Sequence, residues 1–293
     1  MPTVFRWLAR CPLWLLHSLG FVVGWLSYAL SPSYRRRFGA NAAQAGMAPA
    51  AARPAIAEAG RLLMELPYLW LRPASRSILP KVSWQGDALI DAAHAHGRSI
   101  VFMTPHLGCF EVTAQAYAER HGPITVLYRP ARKAWLRDLV NRGRNRPGLV
   151  AVPANLAGVR QMLRALKRGE AVGLLPDQVP PDGMGVWAPF YGQPAYTMTL
   201  AARLVQQTGA ALLMIWAERL PAGRGYGLRV SLPAQPLPTV AVDDAALQVA
   251  CATAINHEMA RLIGQCPEQY LWAYNRYKQP RKVHAATGDE AAP

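Results

Sequence analysis

The stretch SIVFMTPHLGCFE, residues Ser99–Glu111, decides how this chain of 293 residues is interpreted. Its first five residues form an apolar run with the length and composition of a buried strand. His106 and Glu111 follow this run and lie five positions apart. On a continuous helix they would diverge by about 140°, so they can meet only if His106 lies in a turn and Glu111 in the first turn of the next helix. The stretch therefore predicts a strand, a turn that carries the histidine, and a helix.

The pair of His106 and Glu111 has a chemical interpretation. A carboxylate that contacts one imidazole nitrogen fixes the tautomer, and the other nitrogen can then remove a proton from an alcohol or a water. This makes His106 a candidate general base, with Glu111 as its orienting acid. Because a histidine and an acid at this spacing also occur by chance, the interpretation depends on the rest of the chain.

Short apolar runs alternate with helical patterns between residues 82 and 213. Such alternation predicts an α/β fold with a largely parallel central sheet that is flanked by helices. We expect strands at 99–103, 124–128, 149–152, 171–175, 211–216 and 228–232. We expect helices at 107–120, 134–142, 156–167, 199–208 and 243–263, and a largely helical region at 34–71.

The composition is apolar and basic. Hydrophobic residues make up 52% of the chain, and 32 Lys and Arg against 17 Asp and Glu give a formal net charge of +15. This surplus predicts anionic partners such as lipid head groups, an acidic protein or nucleic acid. The lack of a helix-turn-helix, zinc-finger or aromatic RNA-binding signature argues against nucleic acid. Four cysteines without CxxC spacing indicate reduced thiols, and no motif predicts a metal site.

The N-terminal region predicts a membrane anchor. Residues 11–30 contain no Lys, Arg, Asp or Glu, and their length is close to the ~20 residues that cross a bilayer. The triplet Arg35-Arg36-Arg37 follows and favours a catalytic part that faces the cytoplasm. We predict an anchor at 1–33, a catalytic domain at 34–278 and a disordered tail at 279–293. A cleaved signal peptide and a helix lying in the membrane surface are the alternatives.

Polar side chains follow other predicted strands. Arg129 and Asp177 each come near the end of one, and Arg142 and Arg144 close the helix predicted after Arg129. Sites in open α/β sheets gather at the carboxyl ends of strands, so we expect these residues to lie near the histidine motif. Each also has a simpler interpretation, since Asp177 could cap a helix and the arginines could form a solvated basic surface.

Six further sequence blocks accompany the histidine motif in order along the chain. They are Tyr128-Arg129-Pro130, Arg142-Gly143-Arg144, Gly169-Glu170-Ala171-Val172, Pro176-Asp177-Gln178, Pro189-Phe190-Tyr191-Gly192 with Ala195 and Thr197, and Pro267-Glu268-Gln269-Tyr270-Leu271-Trp272. The histidine motif is similar to the H-x-x-x-x-[DE] signature of membrane acyltransferases. With the six blocks, the chain resembles the late acyltransferases of lipid A biosynthesis, from the N-terminus to about Lys278. It departs from them at Phe110, where tryptophan is frequent, and at residues 274–277, where other members are more basic.

This resemblance implies a fold similar to that of glycerolphosphate acyltransferases, and a reaction at the bacterial inner membrane. A fatty acyl chain would pass from acyl carrier protein to a hydroxyl of an acylated glucosamine disaccharide. Acyl carrier protein, an anionic lipid A precursor and membrane lipids would be the partners. Acyl carrier protein loaded with its fatty acid would be a co-substrate, and no cofactor is expected.

The resemblance also implies roles for individual residues. His106 would be the base and Glu111 its orienting acid. Arg144 would stabilise the oxyanion or a lipid phosphate, and Asp177 would orient Arg144 or an acceptor group. Substrate binding is expected of Arg129, Arg142, Phe190 and Tyr191.

Three other interpretations remain open from the sequence. The same motif could serve a lysophospholipid or another glycolipid acceptor. The chain could also be a membrane-tethered basic protein that binds anionic lipid without catalysis. Cys109 lies three residues after His106 and could form an acyl-cysteine intermediate, although most buried cysteines only fill the core.

Overall fold

A seven-stranded sheet lies at the centre of the described residues, which in this computed structural model are 3–130, 140 and 143–282. In chain order, the strands of this sheet and of a separate hairpin are β1 (Val82–Gln85), β2 (Ile100–Met103), β3 (Ile124–Tyr128), β4 (Leu149–Pro153), β5 (Ala171–Leu174), β6 (Gly185–Phe190), β7 (Gln193–Met198), β8 (Ala211–Arg219) and β9 (Tyr226–Ser231). The sheet has the order β1-β9-β8-β2-β5-β3-β4, and β6 pairs separately with β7. Within the large sheet β8 and β9 are antiparallel and all other neighbours are parallel.

Helices cover both faces of the sheet. The α-helices of the described residues are α1 (Thr3–Leu8), α2 (Leu13–Leu30), α3 (Pro32–Gln44), α4 (Pro49–Ala52), α5 (Pro54–Leu71), α6 (Ala88–Ala95), α7 (Phe110–Arg120), α8 (Leu156–Lys167), α9 (Leu200–Thr208) and α10 (Asp244–Ile263). One face packs against α5, α6 and α7. The other packs against α8, α9 and α10. Because both faces are covered, the central strands are continuous apolar runs, as in β2, where every residue is buried.

The predicted α/β fold is confirmed. The six predicted strands and the helices at 156–167, 199–208 and 243–263 are present within a few residues of the expected bounds. The helix predicted at 134–142 lies almost wholly outside the described residues, as does the tail beyond residue 282. Strand β1 was not predicted, because it is a short edge strand with only half-buried alternate residues.

The hairpin of β6 and β7 was also not predicted. Its two strands contain Pro189 and Pro194, and proline disfavours a strand in the interior of a sheet. The hairpin is a separate two-stranded sheet in which these prolines face each other. Tyr191 and Gly192 form its two-residue turn with φ of 47° and 77°, the left-handed conformation that tight hairpin turns need.

Helix α2 is long and apolar enough to cross a membrane, by length and composition. One side of it packs closely on α5. Gly20 and Gly24 face Gly60 there, and a Cβ atom on any of the three would clash with backbone atoms of the opposite helix. The other side exposes large apolar residues, which are Trp14, Phe21, Val22, Leu26 and Leu30. The predicted anchor is therefore a helix with one side attached to the rest of the chain and one apolar side left uncovered.

Candidate functional site

His106 lies in a turn between β2 and α7 that the surrounding backbone holds in place. The Gly108 N–H donates to the Gln269 carbonyl at 3.0 Å, and the Cys109 N–H donates to the Ala217 carbonyl at 2.8 Å. Gly108 has a φ of 57°, and a Cβ atom there would clash with the Ala217 carbonyl, so the turn requires glycine. These contacts place the His106 side chain, which is only partly buried, at the carboxyl end of the sheet.

Asp177 is the carboxylate that contacts His106. Its Oδ1 lies 2.7 Å from His106 Nδ1, and its Oδ2 accepts the backbone N–H of His106 at 2.9 Å. Asp177 is 1% exposed. Since an ionised carboxylate can only accept hydrogen bonds, Nδ1 carries the proton and Nε2 has the free lone pair. The pair is thus an oriented imidazole whose Nε2 can accept a hydrogen bond.

The environment keeps Asp177 charged. Burial would raise the pKa of this carboxyl, but the nearby His106 and its two hydrogen bonds, together with the charge of Arg276, hold the pKa below its usual value. An ionised Asp177 stabilises a positive charge on the imidazole whenever His106 takes up a proton.

Gln178 contacts the other nitrogen of the same ring. Its Nε2 lies 3.0 Å from His106 Nε2 and occupies the place where a substrate hydroxyl would approach the base. Gln178 belongs to the Pro176-Asp177-Gln178 block, but no role was predicted for it. Its position directly after Asp177 was the signal in the sequence.

The expected pair of His106 with Glu111 is not formed, and this prediction is corrected. Glu111 lies in the first turn of α7, as predicted, but its carboxylate accepts the Trp70 indole N–H at 3.1 Å and a pair of bonds from Arg144. Trp70 is at the end of α5, so Glu111 is directed toward that helix and away from the His106 ring. Asp177 was predicted to orient Arg144 or an acceptor group, so each of the two acids contacts the partner that was expected for the other.

Arg144 is the partner of Glu111. Its Nε donates to Glu111 Oε2 at 3.1 Å and its Nη2 donates to Oε1, which gives a two-point contact of fixed geometry. Burial would lower the pKa of Arg144, but the charge of Glu111 raises the pKa above its usual value. The guanidinium also lies 5.8 Å from the ring centres of Trp70 and Tyr128. It is therefore a permanently charged group held in one position.

A cavity of about 620 Å³ opens beside these residues. His106, Glu111, Arg144 and Gln178 all line it. One arm of the cavity runs between the sheet and α7, and is lined by apolar side chains of β2, β3 and β8 with those of the helix. The apolar residues of this inner arm are Phe102, Phe110, Ala114, Tyr117, Ile124, Val126, Leu149, Gly173 and Ile215, and the polar residues Thr104, Thr113 and Gln115 line the cavity as well.

A second arm extends around the edge of the sheet toward α8 and α9. It is lined by Asn155, Leu156, Val159, Met184, Met198, Thr199, Leu200 and Arg203. Leu156 and Met184 are exposed, as is Arg203, so this outer arm forms the mouth of the cavity. His106 lines the same cavity as the residues of both arms.

The predicted substrate-binding residues that the structure describes do not lie together. Arg129 lines the cavity and donates to the Val179 carbonyl at 3.4 Å. Phe190 and Tyr191 are outside the cavity lining: Phe190 is buried in the core, and the carbonyl of Tyr191 accepts a hydrogen bond from Gln44. Arg142 lies outside the described residues. The predicted contact of Phe190 and Tyr191 with substrate is therefore not supported, because β6 and β7 carry them toward α10.

Cys109 is fully buried and does not line the cavity. Burial, followed by the charge of Glu65, raises the pKa of its thiol well above the usual value. A thiol in this state is a poor nucleophile, which agrees with a packing role. Among the described residues, no group of His, Cys, Asp and Glu is placed to hold a metal ion.

An α/β sheet that presents an oriented histidine to a largely apolar cavity defines a class of protein, one that can bind a ligand with an apolar part beside that histidine. Residues 49–279 match the family described as bacterial lipid A biosynthesis acyltransferase. The chain belongs to this family, and the resemblance predicted from its sequence blocks is confirmed.

Several characterised proteins are similar to this chain. It is 30% identical over 220 residues to the lipid A biosynthesis lauroyltransferase of Escherichia coli (strain K12), which covers 75% of this chain and 69% of that protein. It is 26% identical over 220 residues to the lipid A biosynthesis palmitoleoyltransferase of the same organism, with 75% and 68% covered. It is also 30% identical over 146 residues to the phosphatidylinositol mannoside acyltransferase of Mycobacterium tuberculosis, with 48% and 45% covered.

Proposed function

We propose that this protein transfers a fatty acyl chain from acyl carrier protein to a hydroxyl group of a lipid A precursor. The observation that carries this proposal is the His106–Asp177 pair, because the carboxylate orients the imidazole and His106 lines a cavity with an apolar inner arm and an open outer arm. Membership of the lipid A acyltransferase family supports the acceptor. The inner arm suits a hydrocarbon chain, because most of the side chains that line it are apolar.

In this mechanism His106 is the general base. The acceptor hydroxyl displaces the Gln178 amide from His106 Nε2 and gives its proton to that nitrogen as its oxygen attacks the thioester carbonyl. Asp177 stabilises the imidazolium that forms, since it is buried, ionised and 2.7 Å from Nδ1. A C–O bond forms, and a tetrahedral oxyanion results.

Collapse of the tetrahedral intermediate breaks the C–S bond. The departing thiolate of the carrier takes the proton from His106, which returns the imidazole to its neutral state. No covalent enzyme intermediate is required, so the buried Cys109 has no part in the reaction.

Arg144 is assigned to the stabilisation of negative charge. It lines the cavity, and Glu111 and two aromatic rings hold its guanidinium in position. A preorganised cation acts on a developing oxyanion without the reorganisation that a flexible side chain needs. Glu111 is thus a positioning residue for Arg144, while a lipid phosphate is the alternative target of the same charge.

The location of the exposed charges supports an acidic acyl carrier protein as donor. Arg129 and Arg203 line the cavity and are exposed, and Arg160 on α8 is exposed as well. We place the protein at the inner membrane, with α2 as its anchor and the catalytic part toward the cytoplasm. The apolar length of α2 and the arginine triplet after it support this placement.

The test uses the purified full-length chain in detergent, with carrier protein loaded with fatty acids of mixed length and a phosphorylated, acylated glucosamine disaccharide. Mass spectrometry is expected to detect one added acyl chain. His106→Ala is expected to lower the rate about 10²–10⁴-fold. His96→Ala, an exposed histidine outside the cavity, is the matched control and should leave the rate unchanged. Equal activity of the His106→Ala variant and the wild type would refute the mechanism.

A second glycolipid acceptor is favoured by one observation, the similarity to a phosphatidylinositol mannoside acyltransferase. Both acceptors would use the same base and inner arm. Offering the disaccharide and a mannosylated phosphatidylinositol in one reaction decides between them, because mass spectrometry identifies which one gains the chain.

A further inference from the structure

A glycine in the middle of the sheet creates the inner arm of the cavity. Gly173 is central in β5, where it pairs with Phe102 of β2 and Val126 of β3. Glycine in a strand interior weakens the strand and often marks a place where a ligand approaches the backbone. A Cβ atom on Gly173 would lie 3.2 Å from Val126 Cγ1 and 3.8 Å from Ile124 Cδ1, in the space under α7. Any larger side chain would occupy the inner arm.

The far end of the inner arm is closed by a tyrosine that cannot move easily. Tyr117 is 1% exposed and its hydroxyl lies 3.0 Å from His94 Nε2. Its ring packs edge-on against Phe102 at 5.1 Å and stacks on His121 at 5.5 Å between ring centres. Fixed at its tip and on two sides, Tyr117 forms a rigid wall at the depth of Ile124, the first residue of β3.

We propose that Gly173 and Tyr117 set the length of the acyl chain that this protein transfers. This inference rests on the proposed function and adds the chain-length specificity of the same site. Gly173 keeps the middle of the arm open, and Tyr117 stops the end of the chain. Most of the side chains that line this arm are apolar, which favours a hydrocarbon chain.

The dimensions of the arm give an expected chain length. From Phe110 to Tyr117 the helix α7 advances about 10 Å, and from Tyr128 to Ile124 the strand β3 advances about 13 Å. A fully extended chain advances ~3.6 Å over three bonds, so this depth holds about nine to eleven bonds. Because a chain has one more carbon than it has carbon–carbon bonds, the preferred acyl donor carries a chain of about ten to twelve carbons.

A substitution of Gly173 by valine blocks the arm at mid-depth. Gly173 pairs with Val126, which lies two positions before Tyr128 at the carboxyl end of β3, or about 7 Å along the strand. With Gly173→Val the products are expected to shift to about six to eight carbons, and with the milder Gly173→Ala the shift should be smaller. Gly227→Val is the matched control, because Gly227 is also a strand glycine but lies in β9, outside the cavity and with ordinary contact distances around it.

Shortening the end wall should have the opposite effect. Tyr117→Leu is expected to admit donors longer by two or more carbons. Ile124→Ala enlarges the same end of the arm and serves as a second variant if Tyr117→Leu does not fold.

The experiment offers each purified full-length variant an equimolar mixture of carrier proteins with chains of eight to sixteen carbons, with six-carbon donors added for Gly173→Val. Mass spectrometry of the acylated disaccharide then gives the product lengths. Opposite shifts for Gly173→Val and Tyr117→Leu, with none for Gly227→Val, would support the proposal. A uniform loss of rate without a change in the length distribution would overturn it. If the wild type acylates no acceptor at all, it is the proposed function that fails.

Discussion

His106 and Asp177 occupy equivalent places after two neighbouring parallel strands. Met103 of β2 and Leu174 of β5 are direct partners in the sheet, and each of the two catalytic candidates lies three residues beyond its partner. The parallel register therefore brings an imidazole and a carboxylate together at 2.7 Å, although they are 71 residues apart in sequence.

The Asp177→Asn variant is expected to lose most of its turnover. An asparagine can donate to Nδ1, which favours the tautomer with the proton on Nε2, so the base is lost; a decrease in kcat of about 10²–10⁴-fold should result. The measurement is kcat and KM of both Asp177→Asn and Glu111→Gln. Glu111→Gln leaves the partner of Nδ1 in place and should lose less kcat than Asp177→Asn. A larger loss of kcat for Glu111→Gln than for Asp177→Asn would restore Glu111 as the partner of His106.

Glu111 and Arg144 should behave as one unit. Arg144→Ala is expected to lower kcat/KM about 100-fold or more, since a fixed oxyanion donor is removed. Glu111→Gln frees the guanidinium and should cause part of the same loss. In a double-mutant cycle, the double variant should lose little more kcat/KM than Arg144→Ala alone. The coupling energy between the two side chains should then be about 1–3 kcal/mol. Additive losses in kcat/KM would show that the two side chains act separately.

A buried acid beneath the His106 turn should make stability depend on pH. Burial would raise the pKa of Glu65, but the charge of Arg219 and hydrogen bonds from His17 and Arg219 lower the pKa to about 2. Because the folded-state pKa is depressed, the carboxylate stabilises the fold above about pH 4.5, and this contribution is lost as the pH falls toward about 2.

At pH 7, Glu65→Gln should therefore lower the free energy of unfolding by about 3 kcal/mol, because the buried charge of Arg219 loses a partner. The variant should have a lower Tm than the wild type. The difference in Tm between the two proteins should shrink as the pH falls from 4.5. Glu170→Gln, which breaks an exposed pair with Arg168, is the control and should change Tm little at any pH. A pH-independent difference for Glu65→Gln would contradict the assignment of a charged Glu65.

Cys109→Ala is expected to retain activity within a few-fold of the wild type. The thiol is 0% exposed, lies outside the cavity lining, and has a pKa raised by burial. Steady-state kinetics with acyl carrier protein test this, and intact-protein mass spectrometry during turnover should find no acyl-enzyme. Accumulation of an acylated protein that disappears in Cys109→Ala would establish the covalent route.

Gly24→Leu should weaken the attachment of α2 to α5. A side chain at Gly24 would clash with the Ile56 carbonyl, and overpacking of this kind typically costs about 1–3 kcal/mol. A lower Tm in detergent is expected, together with faster proteolysis between α2 and α5. Ser27→Leu places the same side chain on the exposed side of α2 and should leave both measurements unchanged. If the two variants behave alike, the glycine contacts do not hold the helix.

Much of the fold could be predicted because its signals are local. The run at residues 99–103 and the helix pattern at 156–167 carry their own hydrophobic periodicity, and β2 and α8 form there. The hairpin of β6 and β7 could not be predicted from local hydrophobic periodicity. Its strands contain prolines at positions that are tolerated only because the hairpin stands apart from the large sheet.

The candidate site was also predictable only in part. His106, Asp177, Glu111 and Arg144 were all recognised from the sequence, but the two contacts expected among them, His106 with Glu111 and Asp177 with Arg144, were exchanged. Spacing along the chain favoured Glu111 for His106, whereas the order of strands in the sheet decided for Asp177. Phe190 and Tyr191 were misplaced because nothing in their local sequence shows which side of the fold their hairpin occupies.

The sequence by itself determined the α/β class, the family and the chemical groups available, since each depends on residue types in short blocks. Only the tertiary structure decided which acid orients the histidine, which arginine is held beside it, and how deep the apolar arm extends. Those properties arise from strand register and from the packing of α7 over Gly173, and both join residues that are distant in the chain.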